Sequence, residues 1–277
     1  MTLDGQSVER VREIVAEIDR LGFAALWLPE AWGREAIAGA SLALGASSRM
    51  TIATGIASIW ARDAVAAVNG ARTLSAASDE RFVLGLGVSH RPLVERLRGH
   101  HYESPLSAMA AYLAAMKAAP MHAADEPFRA PVVLAALGPK MLELAASDAD
   151  GAHTYLVTTE HTATAREHLG SSFLAVEQAV VLGGSREDFL ERAHAHLDFY
   201  TGLDNYRNNW RRLGFGDDDF VRGGSERLCD AMVVHGDRDA IYERVAAHRA
   251  SGADHVCLQV LGAVAGDPPV ADWTALA

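Results

Sequence analysis

Short apolar runs alternate with helical patterns along almost the whole chain, and this alternation constrains the fold more than any other feature. Seven runs read as strands: 24–28, 51–56, 82–88, 132–137, 152–157, 175–182 and 255–261. Each is brief and bounded by turn-forming or charged residues, as expected of strands buried in a parallel sheet. Helical patterns cover 8–21, 64–77, 106–118 and 240–250. In the first of these, Val8, Val11, Ile14, Val15, Ile18 and Leu21 fall on one face, with Ser7 placed to cap the start and Gly22 the end. Asp237 and Gly252 bracket the last helix in the same way. Strands separated by helices pair in parallel through right-handed crossovers. Such units closed on themselves make a (β/α)8 TIM barrel, which needs eight strands where the sequence supplies seven. The absent one belongs before the 8–21 helix, but Thr2-Leu3-Asp4-Gly5-Gln6 reads as a loop, so the first strand is expected to be missing or truncated. In barrel order 175–182 is then the seventh strand. The connection after it, about 183–236, is long enough for two or three helices and reads as an insertion within a single 1–277 domain.

Composition narrows the partners. A chain of 277 residues, 49% hydrophobic, can bury a full core. The net charge of -11 would repel a phosphate backbone, so nucleic acid is not expected. No apolar run approaches the roughly 20 residues of a membrane span, and the polar N-terminus has no signal-peptide core. A soluble, cytoplasmic protein with no membrane partner is expected. Cys229 and Cys257 lie far apart and form no CxxC pair, so they read as thiols of a reduced compartment.

In a barrel of this type the chemistry sits at the C-terminal ends of the strands. The polar residues there are Glu30, then Thr54, Gly55, Ser58 and Trp60, then Ser89 and His90 after the run Phe82-Val83-Leu84-Gly85-Leu86-Gly87-Val88. Gly85 and Gly87 leave room for another group to approach that strand closely. Glu30 follows Trp27-Leu28-Pro29, where partial desolvation would raise its pKa and suit proton exchange; a rim carboxylate paired with Arg34 is the plainer reading. His90 could donate to a carbonyl or take a proton, or be a rim histidine beside Arg91. Leu137-Gly138-Pro139-Lys140 opens a helix whose N-terminus attracts phosphate, and Thr158-Thr159 repeats the arrangement one strand later, with a plain helix cap as the other reading. There is no GxGxxG fingerprint and no GxSxG elbow. No metal is expected: His194 and His196, two apart on a helix, do not share a face. The segment Tyr206 to Arg212 is basic and aromatic; it could clamp an anionic ligand tail or be a solvated face with Trp210 tucked inward.

Five segments in this order, Leu26 to Glu30, Ala53 to Ile56, Arg81 to His90, Leu134 to Met141 and Gly252 to Val256, resemble the bacterial luciferase-like monooxygenase family, and within it the deazaflavin-dependent oxidoreductases of actinobacteria. The resemblance runs from about Leu21 to Leu261. It implies a luciferase-like barrel with a flavin-like ring in its mouth, and a bulge with a non-prolyl cis peptide that matches Gly55–Ile56, beside Thr54. It further implies that Ala136, Leu137 and Gly138, with Thr158 nearby, bind the cofactor's phosphate, that Ser89 lies by the cofactor, and that His90 and Glu30 occupy the positions of catalytic acids. The family's frequent histidine after the second of these acids is Ala31 here, a departure from a sugar-phosphate dehydrogenase-like mechanism. The function implied is hydride transfer between coenzyme F420, an 8-hydroxy-5-deazaflavin, and a small organic substrate, by a homodimer. An FMN-dependent luciferase-like monooxygenase is the alternative, and a non-catalytic or truncated barrel subunit the second.

Overall fold

Ser7 accepts a hydrogen bond from the Arg10 amide, and the helix that it starts, Val8–Leu21, ends at Gly22 with φ of 90°. This is the helix expected from the spacing of its apolar face. A computed structural model of the chain describes residues 3–120, 128–262 and 266–277. Among the described residues no strand precedes that helix.

The chain forms two compact units. The described residues of 2–136 and 143–151 form one, and those of 137–142 and 152–277 form the other. In the first, strands β1 (Ala25–Leu28), β2 (Thr51–Thr54), β3 (Ala57–Ser58), β4 (Phe82–Gly87) and β5 (Val132–Ala135) follow one another. The pairs β1–β2, β2–β4, β3–β4 and β4–β5 are all parallel. Helices Ala36–Ala46, Ala64–Ala77 and Pro105–Ala118 connect them. The expected 51–56 strand is broken. Ala53 pairs with Val83 and Ala57 with Leu86, so four steps on one side face three on the other. That extra residue defines a bulge, and the Gly55–Ile56 peptide within it is cis.

In the second unit, strands β6 (Gly151–Tyr155), β7 (Phe173–Leu182), β8 (Val233–Gly236) and β9 (His255–Val260) alternate with helices including Thr159–Leu169 and Arg238–Ala250. β7 pairs in parallel with β8 through Ala179–Leu182 and with β9 through Ala175–Val180. The 183–236 stretch holds three α-helices, Arg186–Leu197, Asp204–Arg212 and Glu226–Met232. It also ends in β8, a four-residue strand that the sequence reading left inside the insertion. Phe189, Trp210, Phe220, Leu228 and Met232 bury these helices in a common core. Asp237 caps the start of the Arg238–Ala250 helix, and Gly252, with φ of 103°, follows its C-cap Ser251 and stops it as expected.

This unit also buries polar groups, and a buried polar atom is stable where a neighbour satisfies it. His248 is fully buried, bonded through Nδ1 to Thr162 Oγ1 at 2.8 Å and through Nε2 to Gln178 Oε1 at 3.0 Å. Burial lowers the pKa of His90, His196, His248 and His255 to about 4 each. In an unfolded chain a histidine titrates near 6.5. Between these values the unfolded state binds protons that the folded state refuses, so stability is complete above about pH 6.5 and falls as pH drops toward 4. Each histidine contributes a slope of up to about 1.4 kcal/mol per pH unit. Urea midpoints measured from pH 7.5 to 4.5 are expected to drop steeply below 6.5, and less steeply in His248→Gln. A flat profile would contradict the buried, neutral state of these rings.

Candidate active site

The bulge is held in place from three sides. Thr54 Oγ1 donates to Gly85 O at 2.7 Å and accepts from Gly85 N at 2.8 Å, locking β2 to β4. A Cβ on Gly85 would lie 2.0 Å from Thr54 O, and one on Gly87 would lie 1.8 Å from Ile56 Cδ1. Only glycine lets β4 pass this close to the bulge. The two glycines therefore serve the backbone contact expected from sequence, and the group that approaches is the bulge itself.

Glu30 braces the bulge from the third side. Its carboxylate forms an ion pair with Arg62, with side chains 4% and 8% exposed. It also accepts from Ser58 N at 2.7 Å and from Ala36 N at 3.2 Å, while Glu30 N donates to Ile56 O at 3.3 Å. Glu35 takes a second edge of the Arg62 guanidinium through Nε at 2.8 Å. The Glu30 carboxylate is held by a cation and two backbone N–H groups, so it anchors β3. Its cation is Arg62, not Arg34. The missed residue is Arg62, whose distance of 32 positions from Glu30 gives sequence reasoning no handle.

His90 follows β4, after Ser89, whose φ is 56°. Burial lowers the His90 pKa to about 4, so at neutral pH the ring is uncharged. Such a ring can offer an N–H to a developing oxyanion without being an imidazolium. Aromatic groups frame this turn. Trp60 Nε1 donates to Val88 O at 2.9 Å, Tyr102 Oη donates to Ser89 O at 3.3 Å, and the Arg91 guanidinium lies 5.2 Å from the Tyr102 ring centre. The Trp60 ring is 6.2 Å from both His100 and Tyr102. Beside them opens a cavity of about 430 Å³ lined by Glu30, Trp32, Arg34, Trp60, Leu97 and His100, among others. Trp32 is 68% exposed at its edge.

The remaining predicted residues lie at the next strand ends. Ala136 is buried. In the second unit Leu137 O accepts a 2.8 Å bond from His161 Nε2, and Gly138 O accepts from Met141 N and Leu142 N at the start of helix Pro139–Asp148. Thr158 caps helix Thr159–Leu169, accepting from His161 N at 3.4 Å. His161 is 4% exposed, and its Nδ1 has no hydrogen-bond partner. Thr54, Gly55, Ile56, Ser89, His90 and Glu30 thus fall together in the first unit, and Leu137, Gly138 and Thr158 in the second.

Other sequence candidates resolve as structural. His194 Nδ1 meets Gly223 O at 3.0 Å while His196 Nε2 meets Tyr155 Oη at 2.7 Å, so the two imidazoles serve different partners. Among the described residues no group of three or more His, Cys, Asp or Glu side chains is placed to hold a metal ion, and no helix is long and apolar enough to cross a membrane. Cys229 is buried and Cys257 half-buried, both as free thiols.

The cis Gly55–Ile56 peptide within a bulge, packed against the glycines of β4, is the backbone feature that the resemblance implied. The profile of the luciferase-like monooxygenase family matches residues 1–255, and the chain belongs to that family. Its parallel strands alternating with helices are the α/β class of the family's barrels. A Mycobacterium tuberculosis protein provisionally named a coenzyme F420-dependent oxidoreductase is 28% identical over 169 residues, 50% of this chain and 49% of that one. The chain thus matches about half the length of that relative. The coenzyme F420-dependent tetrahydromethanopterin reductase of Methanopyrus kandleri superposes with a TM-score of 0.72 at 16% identity, over 100% of this chain and 95% of that one. The FMN-bound oxygenating constituent of 3,6-diketocamphane monooxygenase from Pseudomonas putida gives 0.66 at 14% identity, over 99% and 92%.

Proposed function

We propose that this protein is an oxidoreductase that moves a hydride between the deazaflavin coenzyme F420 and a small organic substrate. The observation that supports it most is the braced bulge at Gly55–Ile56, with a neutral His90 past the neighbouring strand, in a chain that shares a family with F420-dependent proteins. The coenzyme, when bound, supplies the redox-active ring. Thr54, Gly55 and Ile56 give that ring a wall fixed by Gly85 and the Glu30–Arg62 pair, and Ser89 borders it. In the second unit, the helix start at Gly138, with Leu137 and the helix cap Thr158 close in sequence to their own helix starts, suits a phosphate group. His90 holds a neutral N–H toward the reacting oxygen of the substrate. The cavity beside Trp60, lined by aromatic and charged side chains, is the candidate pocket for the substrate.

The rival reading, an FMN-dependent monooxygenase, is favoured by the FMN-bound structural neighbour. Oxygen demand separates the two. The protein is expected to reduce F420 anaerobically with a member of an alcohol and aldehyde panel, and to add no oxygen uptake to the spontaneous autoxidation of reduced FMN. Oxygen uptake that depends on the protein and reduced FMN, with no anaerobic F420 reduction, would overturn the hydride-transfer reading.

A further inference from the structure

The cavity beside Trp60 lies wholly within the first unit, and its charged groups are unevenly matched. Glu30 and Glu35 line it, and both carboxylates are taken by Arg62. Arg34 and Arg98 also line it, and neither guanidinium has a carboxylate partner among the described residues. The Arg34 backbone N–H donates to Asp4 Oδ1 at 3.0 Å, while its guanidinium spends Nη2 on Gln6 O. Arg98 follows the short helical turn Leu93–Leu97, and its backbone N–H donates to Leu93 O at 3.2 Å. Arg98 is half-buried, yet its guanidinium has no hydrogen-bond, ion-pair or ring partner among the described residues. Nearby Arg91 behaves otherwise: it pairs with Glu95 at 2.7 Å and lies against the Tyr102 ring. The chain has 36 acidic side chains against 25 basic ones, so Arg98 is not left alone for want of carboxylates.

The apolar lining is the second observation. Trp32 is 68% exposed and Leu97 50%, and both line this cavity. Tryptophan is buried on average, and large apolar side chains left in water beside a concave site mark a surface that a ligand covers. The volume of about 430 Å³ falls in the usual range of small-molecule pockets, about 300–1,000 Å³. Trp60 also lines the cavity, and its Nε1 bond to Val88 O fixes it to the turn that carries His90. The cavity therefore shares a wall with the turn that holds His90.

We infer that this cavity selects an aromatic carboxylic acid, with Arg98 as the residue that reads the carboxylate and Trp32 and Trp60 as the surfaces that its ring lies against. A guanidinium offers its donors in a planar fork, and a free fork matches the two oxygens of a carboxylate. Indole rings favour offset or edge contacts with a flat ring, and an apolar ring covers the exposed faces of Trp32 and Leu97. Arg34 adds positive charge to the same lining without giving up its hold on Gln6. That the bound acid is the substrate rests on the proposed function; the acid site itself does not.

The test measures binding, not turnover. Isothermal titration calorimetry compares para-hydroxymethylbenzoate with its neutral amide, para-hydroxymethylbenzamide, on the coenzyme-free protein and again with F420 present. Wild type is expected to bind the carboxylate at least about tenfold more tightly than the amide. Arg98→Gln should shrink that preference to about twofold and leave both the amide affinity and Tm unchanged, because the side chain has no partner in the protein to lose. Arg98→Lys keeps the charge without the fork and should retain part of the preference. Equal affinities in wild type, no binding of either compound under either condition, or an undiminished preference in Arg98→Gln overturns the site. If Arg98→Gln weakens F420 while acid and amide bind alike, the arginine serves an anionic group of the coenzyme and the inference falls. The two readings fail separately. A carboxylate preference in coenzyme-free protein that binds no F420 supports the site and removes the coenzyme reading; F420 binding without that preference removes the site alone.

Discussion

Replacing His90 with alanine is expected to lower turnover by about 10²–10⁴-fold, the usual scale for removing one acid–base or hydrogen-bonding group. Coenzyme affinity should change by less than about threefold, because a group that acts on the reacting atoms contributes little to ground-state binding. The pH profile supplies a second signature. The neutral ring is the working form and its pKa is lowered to about 4 by burial. The limb of kcat/KM assigned to His90 should therefore fall only as pH drops toward about 4, and should be absent near 6.5, where an exposed histidine would titrate. His90→Gln retains an N–H donor and should recover part of the lost rate. Steady-state kinetics between pH 4.5 and 8, paired with binding titrations, checks all three statements. Equal losses of turnover and coenzyme affinity would make His90 a binding residue.

Arg62→Ala is expected to destabilise the protein by about 3–5 kcal/mol, the cost of leaving a buried carboxylate without its cation. Glu30 is 4% exposed and would keep only the Ser58 and Ala36 N–H groups. Glu30→Ala should also be destabilising, and the double variant should cost less than the sum, since removing both charges leaves neither stranded. Urea unfolding of the four proteins at pH 7.5 measures this directly. The cycle also separates the two accounts of Glu30. A proton-exchanging carboxylate would make Glu30→Gln inactive but stable. The brace described here makes stability and activity fall together in Glu30→Gln, because Ser58 and the bulge move with it. A stable, inactive Glu30→Gln would contradict the brace.

Local signals in the sequence proved sufficient for the elements. Ser7, Gly22, Asp237 and Gly252 mark helix ends through their own side chains or through positive φ, so the Val8–Leu21 and Arg238–Ala250 helices could be placed closely. Strand positions were legible, but their ends were not. The 51–56 run shows only apolar residues and a glycine, while the break after Thr54 is set by close packing against Gly85 and Gly87, 30 residues away. The cis bond at Gly55–Ile56 came from family resemblance, because no local property of that dipeptide announces it. Glu30 and His90 do lie just past the ends of β1 and β4, where the strand-end rule placed them. The environment of Glu30 was not legible, because it depends on Arg62, at the start of a different connection. The basic run Tyr206 to Arg212 likewise reads in sequence as either a clamp or a solvated face, and only packing separates its members: Arg211 pairs with Asp217 while Trp210 is fully buried.

The central claim is that the chain binds and uses a deazaflavin, and equilibrium titration of the purified protein with F420 and, separately, with FMN tests it most directly. Ligand fluorescence should report binding of F420 at micromolar concentration or below, about -8 kcal/mol or tighter, with FMN weaker by at least about tenfold. Tight FMN binding with no measurable affinity for F420 would contradict the account and place the protein with the oxygen-using members of its family.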